Sequence, residues 1–174
     1  AFLYCTEVLC PSCKIRVPLA STWVIGPTSK VIAQIKLNEE KGNFEIAVVN
    51  NATEEQIAKA RNSGTISNGR MVCPSCGMDH SISGLRGDTR GKDNLTYGLR
   101  LWANEDLSPR LDDVLQERLY CIRWVERYWK KNHRGEMVQK TRRHFKSIDA
   151  DDLAREEKVL KLLRERFAEW QEKG

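Results

Sequence analysis

A chain of 174 residues is long enough for one domain with a true core, or for two small ones. At 40% hydrophobic and 30% charged residues, its core is expected to be modest and to be supplemented by a metal and by long amphipathic helices. The net charge of +5 is mild, no apolar run approaches the roughly 18 residues of a membrane span, and no leader pattern is visible, so neither secretion nor membrane insertion is expected.

The first element is a short cysteine motif, Cys10-Pro11-Ser12-Cys13. After it, Ile15 to Ile25 reads as a strand, with Ile15, Val17 and Leu19 alternating against polar neighbours until Gly26-Pro27 breaks the run. Lys30–Leu37 and Phe44–Val49 alternate in the same way around a turn at Asn38–Asn43. Thr53-Glu54-Glu55-Gln56 is a capping box and predicts a short helix over about 54–61. Asn62 to Asn68 is a loop rich in Ser, Gly and Asn, and Gly69–Val72 leads into a second motif, Cys73-Pro74-Ser75-Cys76-Gly77. His80 to Leu85 reads as a last short strand, closing a first domain over residues 1–86.

Residues 87–107, rich in Gly, Asp, Arg and Asn, read as a loop or linker. Ser108-Pro109 then offers a helix N-cap followed by proline at the first helical position, and Asp112 and Asp113 suit the first turn. Leu111, Val114, Leu115, Leu119, Ile122, Val125 and Trp129 fall at three- and four-residue spacing, which predicts a helix to about Asn132, ended by Gly135. A second helix is predicted from near Asp149 to about Glu172, with Leu153, Leu160, Leu163, Phe167 and Trp170 on its stripe. The expected fold is therefore α+β: a zinc-ribbon-like antiparallel β domain followed, over 108–174, by a two-helix antiparallel hairpin with a basic connector.

Two C-x-x-C pairs supply four thiolates, the number a closed tetrahedral zinc site needs, so Cys10, Cys13, Cys73 and Cys76 are the candidate ligands. Free buried thiols and redox pairs are the alternatives, but a redox C-x-x-C usually stands alone near a βαβ pattern. Cys5 and Cys121 sit in apolar contexts, Cys121 as a small core residue. His80, four residues after Cys76, is either a substitute ligand or a surface residue. Thiols used for metal suit a reducing, cytoplasmic setting.

The charge is concentrated. From Arg127 to Lys146, the cations Arg127, Lys130, Lys131, Arg134, Lys140, Arg142, Arg143 and Lys146 meet one acid, Glu136. Such a stretch is either a phosphate-contacting surface or a solvated linker near a helix C-terminus. Arg86, Arg90 and Lys92 add positive charge to the glycine-rich loop, where Asp88 and Asp93 read either as a functional pair or as solvated acids. No phosphate-binding glycine loop, nucleophile elbow or His-Glu zinc-protease helix occurs.

The order of these motifs is distinctive: the two knuckles, Ser108-Pro109-Arg110, the phrase Glu117-Arg118-Leu119-Tyr120-Cys121-Ile122-Arg123-Trp124, and the closing Trp170-Gln171-Glu172-Lys173-Gly174. It resembles the central segment of the large bacterial and archaeal adenine-specific DNA methylases that contain a zinc ribbon. The resemblance implies an accessory insertion, cut from a longer polypeptide, that holds or recognises DNA for a methyltransferase. The S-adenosylmethionine loop and the D-P-P-Y motif of those enzymes are missing here, so no residue inherits a catalytic or cofactor-binding role and S-adenosylmethionine belongs to the full-length parent. The expected partners are DNA and the rest of that polypeptide, with no membrane. The alternative is a purely structural scaffold or protein-interaction module without nucleic-acid contact.

Overall fold

The computed structural model describes residues 1–91 and 94–173. Its centre is a seven-stranded sheet in the order β12-β11-β1-β2-β5-β4-β3. The strands are β1 (Phe2–Leu9), β2 (Arg16–Leu19), β3 (Val24–Gly26), β4 (Val31–Asn38), β5 (Asn43–Val49), β11 (Leu115–Lys131) and β12 (Met137–Ser147). Between β5 and β11 lie α1 (Glu54–Asn62), a small sheet of β6 (Ile66–Ser67), β7 (Arg70–Val72) and β8 (Asp79–Ser81), then α2 (Ile82–Arg86) and the short pair β9 (Thr89–Arg90) and β10 (Leu95–Thr96). The chain closes with α3 (Ala150–Lys173).

The mixed α+β class, the β4–β5 pair and α1 follow the sequence pattern, whereas the single strand expected over Ile15–Ile25 is split by residues 20–23 into β2 and β3. β4 and β5 form the expected antiparallel pair, Ile32↔Val49 to Asn38↔Asn43. The capping box is complete, with Thr53 Oγ1 accepting from the Gln56 amide and Gln56 Oε1 accepting from the Thr53 amide. Ile57 and Ala60 of α1 are buried against Trp23 and Ile32.

Two further expectations fail. His80–Leu85 is strand only at its start. Ser81 caps a short helix there, its side chain accepting from the Gly84 amide. The larger correction concerns the helical hairpin: residues 115–131 are a long strand, and they form a β-hairpin with 137–147, so only the second of the two helices exists. Two facts explain this. The segment is rich in β-branched and aromatic residues (Tyr120, Ile122, Trp124, Val125, Tyr128, Trp129), which favour a pleated, half-buried surface. Strand β1 also offers a full antiparallel edge, paired from Phe2↔Ile122 to Val8↔Leu115. Leu111, placed on the apolar stripe by the helical reading, is fully exposed.

The supposed helix start is a polar cage. Asp113 accepts from the Arg110 amide and from Arg100, and Asp106 accepts from Arg100, Arg110 and the Ala103 amide. Gly135, expected to end a helix, has φ of 80° in the tight turn of the β11–β12 hairpin, where the Asn132 amide donates to Glu136 O at 2.9 Å.

The sheet curls back on itself. β2 meets β5 in parallel at Arg16↔Asn43, and at the far edge Ser147 Oγ accepts from the Val48 amide while Asn50 Nδ2 donates to Phe145 O. Pairing between β1 and β11 ends near Ala1, whose carbonyl accepts from the Arg123 amide. Beyond that point β11 and β12 run on together as a two-stranded arm of roughly 25 Å. Among the described residues, no helix is long and apolar enough to cross a membrane.

Candidate metal centre and basic ribbon arm

Each cysteine motif is the tip of an antiparallel hairpin. The first joins β1 to β2 with Leu9↔Arg16 as its last pair, and the second joins β7 to β8 with Val72↔Asp79. The two tips are built alike. Cys10 N donates to Ile15 O and Cys73 N to Met78 O, each at 2.9 Å. The Lys14 amide donates back to Cys10 O, and the Gly77 amide to Cys73 O. Lys14 and Gly77 both take positive φ, 61° and 72°, a conformation that costs lysine more than glycine.

The structure brings the four sulfurs together. They lie within 4.8 Å of one another, with Cys10 Sγ–Cys76 Sγ at 3.8 Å and Cys13 Sγ–Cys73 Sγ at 3.7 Å. A tetrahedron with Zn–S bonds of about 2.3 Å has S···S edges of about 3.8 Å, so the donor set fits a metal ion such as zinc. Cys10 and Cys73 are buried in a core of Val8, Val17, Phe44 and Met71, whereas Cys76 is exposed. Burial pushes the Cys73 thiol up to about 12. At Cys13 burial also pushes upward, but the Ile15 amide and the neighbouring sulfurs outweigh it and bring the thiol down to about 7. A bound dication would deprotonate the whole set.

Residues around the centre hold the second hairpin in place. Thr65 is buried, its hydroxyl donating to Pro18 O at 2.6 Å and accepting from the Ala20 amide at 3.0 Å. A Cβ on Gly64 would meet Ser21 O at 2.2 Å, so only glycine passes there. His80 sits beside the cluster, Nε2 lying 3.7 Å from Cys10 Sγ and 3.3 Å from Ser12 Oγ. Cys5 and Cys121 are buried elsewhere and contribute no sulfur to the cluster.

No family model, curated protein or solved structure matches this chain. What the molecule can do is therefore read from its own surfaces.

The basic residues of 127–146 lie on the β11–β12 hairpin, where cross-strand partners share a face. One face carries Trp124/His144, Glu126/Arg142, Tyr128/Lys140 and Lys130/Val138. The other carries Val125/Arg143, Arg127/Thr141, Trp129/Gln139 and Lys131/Met137. On the first face Glu126 contacts His144 at 2.8 Å and Arg142 at 4.0 Å, the Arg142 guanidinium lies 5.1 Å from the Tyr128 ring centre, and Trp124 stacks on His144 at 5.2 Å, while Lys130 and Lys140 join none of the described ion pairs. The second face has no acid.

The remaining expected contacts separate. Lys146 is held by Asp149 and Asp152 at the start of α3. Arg86 is paired with Asp88, whose other oxygen accepts from the Gly98 amide. Arg134 lies in the turn at the arm's tip, and Arg90 is exposed on β9. Lys92 and Asp93 lie outside the described residues. The period-two alternation that separates the two faces was present in the sequence, but the helical reading of 108–132 concealed it.

Proposed function

We propose that this chain is a zinc-stapled, zinc-ribbon-like accessory element that holds DNA, acting as part of a larger adenine-specific DNA methylase. The observation that carries the reading is the arm: a two-stranded ribbon that runs on past the end of β1, densely cationic and interleaved with aromatic side chains. A two-stranded ribbon matches the width of a DNA major groove, and guanidinium and ammonium groups along it suit phosphate oxygens. Four thiolates close the coordination of a zinc ion, which leaves no open position and assigns the metal to structure. The methylase part of the proposal is supported by the motif order of the sequence. S-adenosylmethionine and the methyl-transfer step would belong to the parent's other segments.

The test is binding of labelled duplex DNA across a salt series. With about four phosphate contacts, the slope of log K against log salt is expected near −4, so affinity should fall about a hundredfold between 50 and 200 mM salt. Salt-independent binding, or none, would overturn the reading.

A second reading, a scaffold without nucleic-acid contact, has its own observation. Leu153, Val159, Leu162, Leu163 and Trp170 of α3 are exposed, more apolar surface than a lone helix usually leaves uncovered. Concentration-dependent self-association in sedimentation, together with absence of DNA binding, would favour it.

A further inference from the structure

We propose that the acid-free face of the arm and the cleft at its root form one track for an unpaired nucleic-acid strand, with phosphates on Arg127, Lys131 and Arg143 and a base against Trp129. This rests on the reading that the chain holds nucleic acid, and it names the face and the form of the strand.

The face of the hairpin that carries Arg143 and Arg127 farther out carries Cys121 and Phe145 at its root, where both are buried. It is therefore the inner face, looking across the shoulder of the body. Gly26 lies against Phe145 there, at 3.4 Å from the ring to a would-be Cβ, which brings the turn after β3 close to the arm.

Between arm and shoulder lies a cleft of about 710 Å³, within the size range of small-ligand sites. Thr28, Ser29 and Asn50 line it from the body, Arg143 from the inner face of the arm, and Trp124, Arg142 and His144 from the outer face. No carboxylate lines it directly, and the acid in contact with its wall is Glu126, on the outer face against Arg142 and His144. Hydroxyl and amide donors beside guanidinium groups are the chemistry of phosphate recognition.

Along the inner face, Arg127, Trp129 and Lys131 occupy alternate positions, each about 6.8 Å from the next. None of the described ion pairs engages Arg127, Lys131 or Arg143; on the outer face Lys130 and Lys140 are likewise unengaged, but there Glu126 stands beside Arg142 and His144, and the inner face has no such acid. Trp129 is 62% exposed with no ring or guanidinium stacked on it, in contrast to Trp124 and Tyr128 on the outer face. A free indole between two cations is the arrangement that receives an unstacked base. In a duplex the bases are already stacked on one another, which is why the exposed ring favours an unpaired strand.

The test uses the full chain, metal-loaded, in fluorescence anisotropy with a labelled oligothymidylate and a labelled duplex of equal length. Arg127→Gln with Lys131→Gln should weaken single-strand binding at least about tenfold, whereas Lys130→Gln with Lys140→Gln, which removes equal charge from the outer face, should weaken it less than about threefold. Trp129→Ala should cost about five- to a hundredfold on the single strand and little on the duplex. Thr28→Glu, far from the arm in sequence, should cost about tenfold by placing an anion in the cleft. All six positions are exposed, so folding is not at stake. Equal losses from the two charge-matched pairs, or unchanged binding in Trp129→Ala, would overturn the track while leaving nucleic-acid binding intact. Failure of the unaltered chain to bind either probe would overturn both proposals.

Discussion

Replacing Cys73 by serine removes one of four sulfurs from a cluster whose closest pairs are 3.7 and 3.8 Å apart. A serine hydroxyl is a poor substitute for a thiolate, and three remaining ligands leave the ion exposed to water and chelators. The consequence for the fold follows from what the cluster ties together. β6, β7 and β8 are two or three residues long, and strands this short are not stable on their own. Besides the cysteine cluster, they are held chiefly by Met71 and Thr65, both buried. Structural zinc contributes about 10–16 kcal/mol in small metal-dependent folds, comparable with the whole stability of an ordinary domain at about 5–15 kcal/mol. Even if half of the lower figure is lost, about 5 kcal/mol, the melting temperature should fall by roughly 10–20 °C at about 2–4 °C per kcal/mol. Metal content by elemental analysis and melting by circular dichroism provide the assay. The expected outcome is less than one metal per chain and a Tm lowered by at least about 10 °C. Cys121→Ser, buried but remote from the cluster, should keep its metal and lose about 1–2 kcal/mol. A Cys73→Ser protein that retains one metal per chain and melts within about 2 °C of the parent would refute the assignment.

Three further outcomes are expected. Thr65→Val keeps the shape but orphans Pro18 O and the Ala20 amide, so it should cost about 2 kcal/mol in denaturant melts, and a neutral result would show that water reaches those groups. Leu111→Glu should change stability by less than about 0.5 kcal/mol because the side chain is already in solvent, whereas a loss of several kcal/mol would revive the helical reading of 108–132. In the cage around Arg100, the amide of Ala103 and the guanidinium groups lower the Asp106 carboxyl to about 2, and Arg100 also holds Asp113 below its usual value. Since both folded values are depressed, their stabilisation is fully present above the unfolded pKa near 4 and is lost as pH falls toward about 2. Hydrogen exchange in residues 98–113 should therefore accelerate over that window before the β1–β11 ladder opens, and simultaneous opening of both would refute a local cage.

The four-cysteine cluster was legible because its signal is local. Each C-P-S-C motif dictates its own tight turn, and two copies imply a common ion whatever lies between them. The capping box at Thr53, the β4–β5 pair and the last helix were legible for the same reason, since neighbours in sequence make the decisive bonds. Residues 111–131 were not. Their apolar positions satisfy a helical stripe, while their composition favours a strand, and the tie is broken by a partner more than a hundred residues away. The sequence alone determined which four sulfurs could meet and where positive charge is dense. Only the tertiary structure decided that this charge stands on two faces of a ribbon, that the single acid Glu126 lies on one of them, and that Thr28 and Ser29 come to the foot of the arm. The physical reason is that sheet pairing is non-local: a strand's faces acquire meaning only when its neighbour fixes which of them the core covers.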